Sequence, residues 1–176
     1  RVVGKAIKDR RDKVIIATKC GMRWDLDESK GRAFFKTDDD AIRADGEKQV
    51  YVYNGPESVK WEVDQSLQRL GVDHIDVLQT HWQEETTPIE ETAGAIKELI
   101  EAGKVRAFGP CNASVEQLER YRSVLGVVAT DQEKYSMLDR GQEGEKVSYL
   151  LEHDIAMLAY SPLANGLLTG KMTADR

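Results

Sequence analysis

Two basic side chains stand at the ends of short apolar runs and could act together at one site. Lys19 closes Val14-Ile15-Ile16-Ala17-Thr18-Lys19, and His81 follows Ile75-Asp76-Val77-Leu78-Gln79-Thr80. An ammonium group stabilises a neighbouring anion, and an imidazole donates a hydrogen bond to an oxygen that is gaining charge. Each residue alone has an ordinary reading. Lys19 could simply have reached solvent, and His81 beside Trp82 could simply pack. The functional reading gains when the two are taken together. If their strands are parallel neighbours, a side-chain period of two sets both at one mouth. Alternating strands and helices build barrels whose chemistry lies at the carboxyl ends of the strands.

Other polar residues end the later runs. Asn112 and Gln132 each carry a donor and an acceptor, which suits recognition of a carboxamide. Asn112 could equally cap the helix that opens at Ser114. Tyr160 offers either a flat face for stacking or plain core. The stretch from Ser161 to Lys171, which includes Leu163 and Gly166, is rich in backbone amides without bulky side chains. Such a stretch could cradle a pyrophosphate. Trp24 and Trp82 are candidate walls of a substrate pocket.

The elements that must position these residues read as strands and helices in alternation. Strands are predicted at Val14 to Thr18, Ile75 to Thr80, Val105 to Gly109, Val127 to Thr130 and Ile155 to Ala159. These are continuous apolar runs, as parallel strands covered by helices require. A first helix is read over Val2 to Arg10. Gly55-Pro56 opens another, Val59, Val63, Leu67 and Leu70 recur at helical spacing, and Gly71 closes it. Thr87-Pro88-Ile89-Glu90 reads as a capping box with proline at the first helical position, and Gly103 ends that helix. Ser114 to Gln117 reads as a second capping box, followed by Leu118, Tyr121 and Leu125 on one face. The last helix is predicted over Lys146 to His153, with Val147, Leu150 and Leu151 buried. The connection from Lys19 to Gly55 is long, polar and short of helical signals. Its aromatics either pin it to the sheet or form a lid or substrate wall.

The fold class is therefore α/β, with residues 1–176 as one domain. No GxGxxG follows the first strand, so an open dinucleotide-binding sheet lacks its marker and a barrel is favoured. The 176 residues hold 40% hydrophobic and 32% charged residues, as globular domains do. A net charge of −6 argues against a nucleic-acid surface. No apolar run is long enough for a membrane span. The two cysteines, Cys20 and Cys111, form no CxxC pair, which fits a reducing cytoplasm. His74, His81 and His153 lack metal-ligand spacing, so no metal is expected.

Several segments together resemble the aldo-keto reductase family. They are Ile16-Ala17-Thr18-Lys19, Asp76-Val77-Leu78-Gln79-Thr80-His81-Trp82, Pro88-Ile89-Glu90-Glu91-Thr92, Gly103 to Gly109, Asp131 to Ser136, and Ala159-Tyr160-Ser161-Pro162-Leu163 with Gly166 to Lys171. They cover nearly the whole chain in order, and look closest to the bacterial branch with a long loop after the third strand. The resemblance implies a partial (β/α)8 TIM barrel, about strands 3 to 7 with their helices. It implies an oxidoreductase that reduces aldehydes or ketones with NADPH, with NAD as the other option. Lys19 and His81 would be the lysine and histidine of its catalytic tetrad. Asn112 and Gln132 would hold the nicotinamide carboxamide, Tyr160 would stack on its ring, and Ser161, Leu163 and Gly166 would lie along the pyrophosphate.

The resemblance also carries departures. The family's catalytic aspartate and tyrosine would precede residue 1, and a further strand would follow residue 176. Both ends therefore read as cut, and the chain alone as inactive. The family's Gly-Val-Ser-Asn is here Gly109-Pro110-Cys111-Asn112. An arc of barrel would leave edges at Val14 and Ile155 open to self-association. Two other readings remain. One is a Schiff-base aldolase-type barrel using Lys19. The other is a cofactor-binding regulatory subunit without enzymatic activity.

Overall fold

The structure is a computed structural model that describes residues 2–26, 30–36 and 48–172. The elements are α1 (Val2–Ile7), β1 (Ala17–Cys20), β2 (Met22–Arg23), β3 (Arg32–Lys36), β4 (Gln49–Val52), α2 (Pro56–Leu70) and β5 (Ile75–Thr80). After them come α3 (Ile89–Glu101), β6 (Val105–Phe108), α4 (Val115–Leu125), β7 (Thr130–Lys134), α5 (Glu145–Glu152) and β8 (Ala156–Tyr160). β1, β5 and β6 form one parallel sheet, and β7 and β8 another. A parallel bridge between Cys111 and Gln132 joins the two. The result is a five-stranded arc in the order β1-β5-β6-β7-β8, with helices on its outer face.

The join is interrupted for a chemical reason. Across it, Ala129 N donates to Phe108 O at 2.8 Å, Gln132 N to Pro110 O at 3.0 Å and Asn112 N to Gln132 O at 3.0 Å. Pro110 stands in the middle of this ladder and has no N–H to give. Gly109 lets the strands close here, because a β-carbon at that position would collide with the hydroxyl and carbonyl of Thr130.

Helix boundaries follow local chemistry. Pro56 opens α2, and Gly71 closes it with φ of 69° and its N–H on Leu67 O. Ser114 caps α4 with a full capping box: Gln117 N donates to Ser114 Oγ at 3.1 Å, and Ser114 N to Gln117 Oε1 at 2.8 Å. Ser114→Ala is expected to lower stability by about 1 kcal/mol, read as a shift in the urea midpoint. The box predicted at Thr87 is absent. Pro88 is itself the N-cap, with no side-chain cap. Glu84 takes over the turn, accepting the Thr86 and Thr87 amides.

One core lies between sheet and helices. Cys20, Ile75, Leu78, Val105 and Phe108 meet Val59 and Val63 of α2, Ile96 and Leu99 of α3, Leu118 and Tyr121 of α4, and Leu150 of α5. The buried face of α5 differs from the predicted one. Leu151 is exposed, and Lys146 and Tyr149 are buried instead. α1 also stops at Ile7, short of the predicted Arg10.

Strand positions shift from the apolar runs. The first strand is Ala17–Cys20, not Val14 to Thr18. Ile16 N donates at 2.8 Å to the carboxylate of Asp76, which Arg11 and Arg106 hold at 2.8 and 3.0 Å. A side chain thus takes a backbone donor beside the start of the strand. The fourth strand of the arc is Thr130–Lys134, not Val127 to Thr130, and Val127 is exposed. The runs at Val105 and Ile155 end and begin one residue away from prediction. The long connection after β1 holds a separate antiparallel sheet, β2-β4-β3. Val50, Tyr51 and Val52 are its buried residues, whereas Phe34 and Phe35 stay exposed.

Candidate active site

Register brings the predicted residues onto one face of the arc. Lys19 pairs with Gln79, and Cys111 bridges to Gln132, which pairs with Leu158. His81 lies two residues beyond Gln79, and Tyr160 two beyond Leu158. Alternation therefore sends Lys19, Gln79, His81, Cys111, Gln132 and Tyr160 to the inner side, near the carboxyl ends of their strands. Their strand neighbours Cys20, Leu78 and Phe108 face the helices.

Backbone bonds tie the strand ends together. His81 N donates to Cys20 O at 3.0 Å, and Cys111 N to Thr80 O at 2.9 Å. Asn112 adopts the left-handed conformation, with φ of 54°. Its amide group bridges the site: Tyr160 Oη donates to Asn112 Oδ1 at 2.9 Å, and Asn112 Nδ2 to His81 O at 3.4 Å. Its rival role as a helix cap is taken by Ser114. Below it, Gln83 donates to Thr80 Oγ1 at 3.1 Å and to Cys111 O at 3.3 Å, and accepts from the buried Tyr121 hydroxyl at 2.7 Å.

The electrostatics favour the neutral form of His81. Burial lowers its pKa first, and the charge of Lys19 lowers it further. A neutral imidazole retains one ring N–H for donation. Burial pushes the Cys111 thiol up to about 12, so it stays protonated despite the opposing effect of Lys19.

The walls come from the antiparallel excursion and from α2. Trp24, Arg23, Trp61 and Glu62 line a cavity of about 160 Å³ together with Lys19. Trp82 meets Phe34 with ring centroids 5.6 Å apart. A roomier cavity of about 730 Å³ between α1 and the end of α2 holds none of the predicted site residues. Beyond β8, Ser161, Ala164, Asn165 and Gly166 all have positive φ, so the chain turns tightly, with Ala164 N on Ser161 O and Gly166 N on Leu163 O. Leu163 in this turn is exposed.

The sequence reading missed three contributors. Glu62 accepts from Gly21 N, and Asn54 packs against the same turn. Lys146 sits behind Gln132, pairing with Asp131 at 2.7 Å and Glu133 at 3.0 Å and donating to Ala113 O. For Lys146, a buried polar strand opposite a lysine on the inner side of a helix was the available signal.

An arc of parallel strands, covered by helices and bearing its polar residues at the carboxyl rim, is the architecture of (β/α)8 barrels. The aldo/keto reductase family matches residues 1–176, and the chain belongs to that family. It is 41% identical over 178 residues to the NADH-specific methylglyoxal reductase of Escherichia coli, covering 99% of this chain and 51% of that protein. It is 38% identical over 176 residues to an aldo-keto reductase of Bacillus subtilis, covering 99% of this chain and 46% of the relative. Among solved structures, a glycerol dehydrogenase from Gluconobacter oxydans superposes with a TM-score of 0.83 at 34% identity, over 99% of this chain and 48% of that one. The chain thus spans about half the length of the curated relatives it matches.

Proposed function

We propose that the chain forms the lysine- and histidine-bearing part of a single barrel domain that reduces aldehydes or ketones to alcohols. What supports this reading is the shared inner face of Lys19, His81, Gln132 and Tyr160. A reduced nicotinamide dinucleotide supplies the hydride when bound. The inner face fits such a group: Gln79 Nε2 is buried there without a hydrogen-bond partner. Asn112 and Gln132 would hold its carboxamide, Tyr160 would lie against its ring, and Ser161, Leu163 and Gly166 would follow its pyrophosphate.

The roles of the chain's own residues follow from their charge. Neutral His81 donates to the carbonyl oxygen and orients it. Lys19 stabilises the anion left by the proton donor. By family resemblance that donor is a tyrosine outside these residues. Trp24 and Trp82 bound the substrate. NADPH is the proposed donor, to be compared directly with NADH. The Escherichia coli relative is named for NADH, whereas a Klebsiella pneumoniae family structure is in complex with NADP and acetate. Two free, buried thiols suit a reducing cytoplasm. Among the described residues, no helix is long and apolar enough to cross a membrane.

The test places residues 1–176 in the matching segment of the Escherichia coli relative and follows carbonyl-dependent oxidation of NADPH and NADH with methylglyoxal. Lys19→Met and His81→Gln are each expected to lower kcat by about 10²- to 10⁴-fold, with cofactor affinity changed little. A Lys19→Met chimera that keeps the full rate would refute the assignment. A regulatory subunit would give cofactor binding without turnover. An aldolase would give a borohydride-trapped adduct on Lys19.

A further inference from the structure

We propose that Glu62 is a positioning residue that clamps the turn at Gly21 and thereby fixes the rim ends that carry Lys19 and His81. The inference rests on the reductase reading for its consequence, but its geometry stands apart from it.

Glu62 reaches from α2 to the turn that follows β1. Gly21 N lies 3.2 Å from Oε1 and 3.1 Å from Oε2, and Ser58 Oγ donates to Oε1 at 3.2 Å. Arg23 Nη1 backs this arrangement with a 2.6 Å bond to Ser58 Oγ, and its guanidinium lies 4.3 Å from the centre of the Trp61 ring. The turn admits only glycine on two grounds. Its φ is 90°, and a β-carbon would collide with Asn54 Oδ1.

The clamped turn connects to both rim residues through backbone. Gly21 O accepts from Tyr53 N at 3.1 Å, and the adjacent Cys20 O accepts from His81 N at 3.0 Å. Asn54, pressed against Gly21, donates to Trp82 O at 2.9 Å. One carboxylate therefore holds the point where β1, the antiparallel excursion and the end of β5 meet. Lys19 is two residues away and shares the cavity that Glu62 lines.

Removal of the carboxylate should loosen the rim that carries Lys19 and His81. Charged and titratable groups face it from three elements. Lys19 and Cys20 lie on β1, Arg23 and Asp25 on the excursion, and Arg69 on its own helix. Burial outweighs the Gly21, Arg23 and Ser58 contributions and raises the Glu62 carboxyl to about 7. An ionised carboxylate is the stronger acceptor, so the clamp should tighten as pH rises through that value.

The experiment compares Glu62→Ala and Glu62→Gln, since glutamine keeps one acceptor oxygen and cannot titrate. In the full chain, amide exchange at Gly21 should quicken about tenfold or more in the alanine variant. It should stay near the unsubstituted rate in the glutamine variant. In the chimera, Glu62→Ala should lower kcat about tenfold with KM for the cofactor nearly unchanged. Glu62→Gln should restore most of kcat and abolish an inflection near pH 7. Unchanged Gly21 exchange in both variants would overturn the clamp. A loosened Gly21 with undiminished kcat would overturn the positioning role. A chimera inactive before any substitution would overturn the reductase reading instead, and the exchange result would still decide the clamp.

Discussion

Lys146→Ala is expected to be among the most damaging single substitutions in this chain. Lys146 is buried on α5, pairs with two buried carboxylates, Asp131 and Glu133 on β7, and donates to Ala113 O. Breaking a buried pair from one side leaves uncompensated charge and costs about 3–5 kcal/mol, a large share of a domain's stability of about 5–15 kcal/mol. The loss depends on pH. Burial has already raised Asp131 to about 7, against the lowering effect of Lys146. With the lysine gone, Asp131 rises further. A carboxyl whose folded pKa exceeds its unfolded value binds more protons when folded, so stability falls as pH rises between the two values. Lys146→Ala should therefore be worst at pH 8 and partly relieved near pH 5. Urea unfolding at both values checks this. Equal losses would mean that the carboxylates do not set the penalty.

The 176-residue chain by itself is expected to self-associate. Within the described residues β1 pairs only with β5, and β8 only with β7, so the outer edge of each presents unsatisfied backbone groups. The exposed side chains near those edges are apolar: Ile15 is 82% exposed, Leu158 37% and Leu167 58%. Edge donors next to exposed apolar surface favour pairing between copies. Light scattering should show dimers or larger species, and the chimera that closes the barrel should run as one smaller species. A chain that stays monomeric at tens of micromolar, with a cooperative unfolding transition, would refute this.

How much of this was legible in the sequence depended on where the apolar pattern told the truth. Ile75–Thr80 is bounded as predicted, because its run is buried on both sides and ended by a polar pair. Ser114 and Gln117 announced their helix start, because capping is a local bond between residues three apart. The strand Thr130–Lys134 was misplaced, because Asp131 and Glu133 are strongly polar and their burial depends on a lysine more than ten residues later. Apolar periodicity cannot see such a partner. The same holds for Ile16, whose amide is taken by Asp76 sixty residues on. The antiparallel sheet after β1 was read only as a loop, because its strands are short and set among charged residues. Among the candidate site residues, Lys19, His81 and Tyr160 could be singled out because they stand at or just past strand ends, and parallel strands send those ends the same way; Gln132 lies mid-strand in β7 and shares their face through its pairing with Leu158. Glu62 was invisible: at its helical position it looks like one more surface glutamate, and only the fold brings Gly21 to it.

Pro110 has a consequence for how the molecule comes apart. Where a ladder lacks a rung, the strands on either side cease to be one cooperative unit, and opening runs along that line first. Here the line falls between β6 and β7. The half with Lys19 and His81 lies on one bank, and the half with Gln132 and Tyr160 on the other. Asn112 stretches across, bonded to His81 on one side and to Tyr160 and Gln132 on the other. The molecule is thus expected to open first along this crease, where amide exchange should be faster than in the strand interiors. A ligand that grips Asn112 and Gln132 together would act as the missing stitch, protecting the crease more than any helix or strand interior.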